Sequence, residues 1–406
     1  MEKPLIPFGC IKMNNKSDVE KKPALPLQLP ILLGCLGFGF LWFALPIYSK
    51  ILGASALEIG GMFSVFSMTI ALLRPLIGIA SDKLGRKFFF IAALGCYSAS
   101  MVIFSMANNI FELYAGQIVS GIGSAMMFIS AYTMATDLAG SNERGKSVGR
   151  IDQSVARGYL VGGVIGFILI SNLPQNIGWQ IIFTGYALSA AVGAWLGWKT
   201  IPETKPTKKS QTDVKRVISP EIIRLMAIVF LTSASVGMIT PIFIIFLQDK
   251  FTSNIGILIW AIIPGALVGA FLRSYFGQLS DRFGRTRMIA LGLVGAGICS
   301  FLLPGLPGVV WLAIFWTLES VGWAMAGPAE EAMVADLTGH QIRGTGYGLY
   351  TFVSSVGASI GPLAGGWLYD SIGRAMPFYI NGIVLLIGAL LVMLLLGKAR
   401  LHAISN

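Results

Sequence analysis

Long apolar stretches separated by short polar loops recur along the whole chain. A helix needs about 20 mostly apolar residues to cross ~30 Å of hydrocarbon, and in lipid it satisfies its own backbone hydrogen bonds. A scan for such stretches predicts twelve spans, at residues 25–49, 56–80, 87–107, 110–135, 148–171, 177–199, 220–247, 253–276, 287–305, 308–333, 343–368 and 374–397. The pattern therefore predicts an all-α membrane protein with twelve transmembrane helices.

The composition supports this interpretation. Of the 406 residues, 55% are hydrophobic and 12% are charged, whereas a soluble domain carries about 25% charged residues. The four cysteines, Cys10, Cys35, Cys96 and Cys299, lack metal-ligand spacing and are expected to be small core residues. The polar tail before Leu25 has no clear cleavage site, so the first span is expected to stay as a signal anchor.

The net charge of +11 is distributed unevenly. Twenty-four of the thirty Lys and Arg side chains fall in the two tails and in alternate loops, while the other loops hold only Lys50, Lys250 and Arg374. Because basic loops stay in the cytoplasm, both termini and the loop from Lys199 to Arg224 are predicted to be cytoplasmic in the cell (inner) membrane. This distribution also argues against nucleic acid as a partner.

The chain repeats itself at a constant offset of 199 residues. The stretch from Arg74 to Arg86 aligns with that from Arg273 to Arg285, with six identical positions. Without a gap, the same offset aligns 134–149 with 333–348. Each half holds six spans, an even number, so both halves have the same orientation in the membrane. Such a parallel repeat relates the two halves by an axis along the membrane normal.

The repeat divides the chain into five parts. A cytoplasmic tail (1–24) precedes the N-terminal six-helix half (25–199), and a polar linker (200–219) joins it to the C-terminal six-helix half (220–398). Residues 399–406 form a second cytoplasmic tail.

The loops after the second and eighth spans carry glycines, an Asp and an Arg at matching positions. Gly85 and Gly284 allow a sharp turn, and Gly78 and Gly277 allow close approach of another helix. An Asp at such a helix end can accept charge-assisted hydrogen bonds from an Arg or from another helix's N-terminus, and would act as a conformational latch. The alternative is that these charges only orient the helices in the membrane.

At these residues the sequence resembles the major facilitator superfamily, over all twelve spans. The resemblance implies a major facilitator fold, with loops that stabilise an outward-open state. It implies that Arg86 pairs with Asp137 and that Asp82 docks near Gly344 at the N-terminus of the eleventh span. In the second copy, Asp281, Arg285 and Asp336 would repeat this arrangement against the fifth span near Gly145. The predicted latch comprises Gly78, Asp82, Arg86, Asp137, Gly277, Asp281, Arg285 and Asp336.

Glycines four residues apart mark the fifth and eleventh spans and provide flat faces for close helix packing. The predicted packing set is Gly158, Gly162, Gly166, Gly357, Gly361, Pro362 and Gly365. Drug-proton antiporters of the superfamily carry a Gly-Pro pair on the fifth span, whereas here it lies on the eleventh. The resemblance favours an exporter, and a role in packing alone is the alternative.

Gln117 in the fourth span stands where the superfamily's motif has an Arg that is implicated in proton transfer. If protons are coupled to transport, another ionisable group must carry them. Glu319 in the tenth span is the leading candidate, because ionisable groups at membrane depth are costly and usually functional.

Trp316, Glu319, Trp323 and Glu330 share one helical face. In the superfamily the first, fourth, seventh and tenth spans line the central cavity, so this face is expected to contact substrate. Aromatic walls with one carboxylate suit an amphipathic or cationic solute. Arg157 is a candidate counter-charge for Glu319 or an anion-binding group; alternatively, a neighbouring hydroxyl or Arg satisfies Glu319 structurally.

The preferred hypothesis is a monomeric secondary transporter that exports small amphipathic or hydrophobic compounds, with a proton gradient as energy source and no cofactor. The first alternative is an uptake permease for a polar metabolite such as a carboxylate. A membrane enzyme is disfavoured because the two histidines, His340 and His402, form no catalytic group. A receptor is disfavoured because no segment is long enough for an output domain.

Overall fold

The computed structural model describes residues 25–138, 144–204, 219–252 and 254–396. Both predicted tails and most of the predicted linker lie outside these ranges, as do the side chains of Asp82, 144–146 and 339–345 within helices. All the longer elements in the described ranges are helices, in agreement with the predicted all-α class.

Six helices form the N-terminal half. They are α1 (Leu25–Ile51), α2 (Ala56–Leu84), α3 (Arg86–Met106), α4 (Ile110–Leu138), α5 (Arg144–Asn172) and α6 (Gln175–Thr200). The C-terminal half consists of α7 (Pro220–Ile239), α8 (Phe243–Lys250), α9 (Ile255–Phe283), α10 (Arg285–Leu302), α11 (Val309–Ser371) and α12 (Met376–Leu396). Among the described residues, eleven segments are long and apolar enough to cross a membrane.

The predicted seventh span consists of two helices, because α7 ends at Ile239 and α8 begins at Phe243. Pro241 lies between them and has no backbone N–H to donate, which interrupts the helical hydrogen-bond ladder. The two helices together occupy a single apolar segment, Pro220–Lys250.

Helix α11 contains the predicted tenth and eleventh spans. The Tyr350 hydroxyl lies 3.5 Å from Oε2 of Glu330, although twenty residues of straight helix would extend about 30 Å. The chain therefore folds back on itself, and we call residues 309–338 the first leg and 346–371 the second leg. The second leg corresponds to the predicted eleventh span, which is not among the eleven segments counted above.

The glycine-rich faces of α5 and of the second leg each contact a neighbouring helix. A Cβ atom at Gly158 would lie 2.8 Å from the Leu32 carbonyl oxygen of α1, and one at Gly357 would lie 2.7 Å from the Phe230 carbonyl oxygen of α7. Gly162 and Gly361 are closer still to the same two partner helices. Both halves thus use their glycines for the same helix pairing.

We call the end of the bundle with the loops after α2, α4, α6 and α9 the basic face, and the other end the opposite face. The larger apolar core fills the N-terminal half and continues into the C-terminal half through opposite-face residues such as Phe243, Leu303 and Phe378. A second core, which includes Leu225 and Ile289, lies inside the C-terminal half near the basic face. The shared core therefore joins the two halves at the opposite face.

Candidate functional site

A cavity of about 230 Å³ lies between α1 and the helices of the C-terminal half. Its walls come from α1, α7, α8, the first leg of α11 and α12, with Thr240 from the break after α7. They consist of Trp42, Phe43, Val236, Ile239, Thr240, Phe243, Ile244, Trp316, Glu319, Ser320, Trp323 and Asn381. The structure therefore brings Trp316, Glu319 and Trp323 to one cavity.

Glu319 is the acidic group of this cavity. Only 6% of the residue is exposed, and its carboxyl group makes no hydrogen bond or ion pair with any residue that the structure describes. The alternative in which a neighbouring hydroxyl or Arg satisfies Glu319 is therefore not found in the described ranges. An ionisable group left in this position is available to a proton or to a cationic ligand.

Aromatic rings and an ordered amide surround Glu319. The rings of Phe243 and Trp316 stack with centroids 4.1 Å apart and an interplanar angle of 19°. The Ser235 hydroxyl donates to Oδ1 of Asn381 at 2.6 Å, and Nδ2 of Asn381 donates to the Ser300 hydroxyl at 2.8 Å. This hydrogen-bonded amide and the stacked rings line the same cavity as the Glu319 carboxyl group.

Arg157, Gln117 and Glu330 lie outside this cavity. Arg157 is exposed on α5 and makes no ion pair with another described residue, so the structure does not bring it to Glu319. Gln117 lines a second, smaller cavity. Glu330 is buried nearer the basic face, beside Tyr350.

The predicted latch residues form ion pairs in both halves. Arg86 pairs with Asp137. In the other half, Arg285 contacts Asp281 at 2.5 Å and Asp336 at 3.2 Å. The Arg86–Asp137 and Arg285–Asp336 pairs are those that the family resemblance implies, whereas the Arg285–Asp281 pair is an additional contact. A role in switching between states stays a prediction.

The turns of the latch have the backbone geometry that glycine permits, with φ of +98° at Gly85 and +97° at Gly284. The expected close helix approach at Gly78 is absent, since a Cβ atom there would meet no described atom within 4 Å. At Gly277 such an atom would only reach ordinary contact with Pro328, at 3.6 Å. The predicted docking of Asp82 lies outside the described side chains.

An ionic cluster that the sequence pattern did not predict joins the two halves at the opposite face. Lys50 of α1 forms an ion pair with Asp249 of α8. The Tyr369 hydroxyl donates to the other oxygen of Asp249 at 2.8 Å, and Nε of Arg374 lies 3.7 Å from the same oxygen. Lys50 and Asp249 are 199 residues apart, so they are equivalent positions of the repeat. Equivalent positions of the two halves can meet only near the axis that relates the halves, and the repeat register could have marked this pair.

Helix α2 contacts the second leg of α11 beside this cluster. Asp370 accepts hydrogen bonds from the backbone N–H groups of Ala56 and Leu57, at 3.3 and 2.8 Å, and so caps the N-terminus of α2. The backbone N–H of Leu363 donates to the Ser64 hydroxyl at 3.1 Å. The sequence prediction of an Asp docked at another helix's N-terminus concerned Asp82, whereas the structure shows this interaction for Asp370.

The basic face differs from the opposite face. Between the described residues of the two halves, the hydrogen bonds and ion pairs lie at the opposite face or in the α2–α11 contact next to it, and none lies at the basic face. This conformation is therefore closed at the opposite face.

Comparisons with known proteins support these observations. The family model of the Major Facilitator Superfamily matches residues 31–224 and again 225–403. Multidrug resistance protein 1 of Bacillus subtilis is 26% identical over 383 residues, which cover 92% of this chain and 96% of the relative. Quinolone resistance protein NorA of Staphylococcus aureus is 24% identical over 381 residues, covering 91% and 95%.

Solved transporter structures have the same fold. A bacterial homolog of the human lysosomal transporter Spinster, in an inward-facing and unoccupied conformation, matches with a TM-score of 0.73 at 16% identity, covering 94% of this chain and 98% of that chain. The nucleoside transporter NupG matches with a TM-score of 0.75 at 14% identity, covering 92% and 99%. With a family match in each half and transporters as relatives, this multi-pass membrane protein belongs to the major facilitator superfamily of transporters.

Proposed function

We propose that the protein exports amphipathic compounds, cationic ones in particular, in exchange for protons. The observation that carries the proposal is Glu319, a buried carboxyl group without a described partner on the wall of an aromatic cavity. A carboxylate among aromatic rings attracts a cation through charge and through cation-π contact. The same carboxyl group can take up a proton when the cation leaves.

The relatives support the direction of transport. They are named for resistance to drugs or to quinolones, which indicates removal of compounds from the cell in those proteins. The basic face carries most of the Lys and Arg side chains, so we place it in the cytoplasm together with both termini. A structure closed at the opposite face is then an inward-facing state, in which the cavity receives substrate from the cytoplasmic side.

The uptake of a carboxylate is less well supported. Such a site would need a cationic side chain on the cavity wall, and the described lining of both cavities includes no Lys or Arg. Arg157, which could have supplied this charge, lies away from both cavities.

Proteoliposomes with an imposed pH gradient provide the test. A cationic fluorescent dye should accumulate in the compartment from which protons leave, and Glu319→Gln should abolish the part of transport that depends on the gradient. Glu221→Gln is the matched control, because Glu221 lies at the start of α7, away from the cavity. Gradient-driven transport by Glu319→Gln at the rate of the parent protein would refute the role of Glu319.

A further inference from the structure

Two exposed tryptophans lie at the basic-face end of α6, and each has a lysine ammonium group over its ring. Nζ of Lys199 lies 4.0 Å from the ring centroid of Trp195, and Nζ of Lys87 lies 5.6 Å from that of Trp198. The two tryptophans are 55% and 64% exposed. We call these four residues the Trp–Lys cluster.

Close packing of α3 against α6 brings the cluster together. A Cβ atom at Gly197 would lie 2.9 Å from Cδ1 of Ile91, so the glycine allows α6 to approach α3 at this level. Lys87 is one helical turn from Ile91 on α3, and its side chain therefore reaches the ring of Trp198 on α6. Residues of two helices thus form one surface.

The ammonium groups of the cluster have no carboxylate partner within the described ranges. Neither Lys87 nor Lys199 forms an ion pair there. The nearby carboxylate of Glu203 instead accepts hydrogen bonds from the backbone N–H groups of Arg86 and Lys87, at 2.9 and 3.3 Å. Each indole ring covers one side of its ammonium group, so the N–H bonds on the other side can donate to an anion.

An exposed apolar stripe continues from the cluster along α6. Leu188 and Val192 are exposed and share one helical face with Trp195 and Lys199. The seven residues from Trp195 to Leu188 extend about 10 Å along the helix. In a bilayer this stripe contacts acyl chains, while Lys199 reaches the level of the headgroups. An anion with an acyl chain fits both parts of the surface, whereas a soluble anion would use only the ammonium groups.

The cluster is present in one half of the repeat. With the 199-residue offset, three of its residues have neutral counterparts that lack an aromatic ring, since Lys87, Trp195 and Trp198 correspond to Thr286, Leu394 and Gly397. Lys199 alone has a basic counterpart, Lys398. Residues that only orient helices in the membrane would be expected in both halves, because both halves begin and end at the same face. The restriction to the N-terminal half therefore favours a specific binding site.

We propose that the Trp–Lys cluster binds one anionic phospholipid, such as phosphatidylglycerol, from the leaflet at the basic face. The lipid phosphate accepts hydrogen bonds from Lys87 and Lys199, and one acyl chain lies along the apolar stripe of α6. Because the lipid contacts both α3 and α6, it stabilises the packing of these two helices.

Native mass spectrometry of the full-length protein in detergent tests the site. The protein is titrated with dioleoylphosphatidylglycerol or dioleoylphosphatidylcholine, and the affinity for the first bound lipid is measured. The parent should bind phosphatidylglycerol more tightly than phosphatidylcholine. Each lysine beside an anionic headgroup increases affinity about fivefold, so Lys87→Gln combined with Lys199→Gln should weaken phosphatidylglycerol binding about thirtyfold. The affinity for phosphatidylcholine should change by less than about twofold, because that lipid has no net charge.

Arg282→Gln combined with Arg287→Gln is the matched control. Both arginines are exposed near the same face, at the end of α9 and the start of α10, and neither contacts a described aromatic ring. This variant loses the same charge and should change phosphatidylglycerol affinity by less than about twofold. Equal unfolding temperatures of all variants without added lipid would show that they are folded.

Equal phosphatidylglycerol affinity of the parent and the double lysine variant would overturn the site, as would an equal loss in the double arginine variant. Equal affinity of the parent for the two lipids would also overturn it. Glycerol 3-phosphate supplies the remaining comparison, because it has the phosphate without the acyl chains. It should not displace the bound lipid, and displacement would assign the cluster to a soluble phosphate compound and refute the lipid site.

Discussion

The ion pair between Lys50 and Asp249 is expected to stabilise the state that is closed at the opposite face. It joins the two halves at equivalent positions of the repeat, and Tyr369 and Arg374 add contacts to the same carboxylate. If the halves rock about the substrate cavity, the Lys50–Asp249 pair must break before the opposite face opens, whereas the contacts of Asp249 with Tyr369 and Arg374 lie within the C-terminal half. Lys50→Gln or Asp249→Asn should therefore increase the open population.

The expected magnitude follows from the exposure of the two side chains, 38% for Lys50 and 17% for Asp249. Fully exposed ion pairs contribute about 0.2–1 kcal/mol, and hydrogen bonds to charged groups about 1.5–3 kcal/mol. For this partly exposed pair we expect a coupling of about 1–1.5 kcal/mol, which changes the ratio of open to closed molecules about fivefold to twelvefold. The two single variants should have effects of similar size, because Tyr369 and Arg374 contact Asp249 within the C-terminal half.

Distance measurements between spin labels provide the assay. Phe111 and Val310 are exposed residues at the opposite-face ends of α4 and α11, and they are equivalent positions of the repeat. With the native cysteines replaced, labels at Phe111→Cys and Val310→Cys would report the separation of the two halves. Lys50→Gln, Asp249→Asn and the double variant then complete a double-mutant cycle.

Lys250→Gln is the matched control for this cycle. Lys250 is the neighbour of Asp249, but it donates to the carbonyl oxygen of Pro304 within the same half. The Lys250→Gln variant removes the same charge without removing a contact between the halves. The distribution of distances between the two spin labels should therefore stay as in the parent. Equal distributions in the parent, Lys50→Gln and Asp249→Asn would refute the reasoning, as would a coupling energy near zero.

Three further predictions concern stability. Gly361→Ala should destabilise the protein by about 1–3 kcal/mol in thermal unfolding, because the added methyl group would overlap the α7 backbone; Gly149→Ala, in open space on α5, should be neutral or stabilising by up to about 1 kcal/mol. Asp370→Ala should cost about 1 kcal/mol through loss of its hydrogen bonds to the N-terminus of α2, which keeps its Ser55–Glu58 capping box; the loss is measured as faster hydrogen exchange at Ala56 and Leu57, and unchanged exchange would contradict that role. Arg86→Ala should lower the unfolding temperature, since it leaves the Asp137 carboxylate without its ion-pair partner, and an unchanged temperature would count against a stabilising role for the pair.

The sequence by itself determined the membrane class, the repeat and the close-packed faces of two helices. Apolar length and glycine spacing are local properties, so they predicted the spans and the close-packed faces of α5 and the second leg of α11. It also identified Glu319, because an acid among apolar residues is conspicuous at any orientation of the helix. The break at Pro241 within the seventh span was not predicted, although proline is the residue that causes it.

Only the tertiary structure decided which of these residues meet. The arrangement of the two halves brings Lys50 to Asp249, leaves Arg157 away from Glu319, and leaves open space at Gly78. These contacts depend on how whole helices tilt and pack across the axis, and no local pattern contains that information. For the same reason, the sequence showed Gln117 as a departure from a family motif, while the structure placed it in a second cavity beside Trp42.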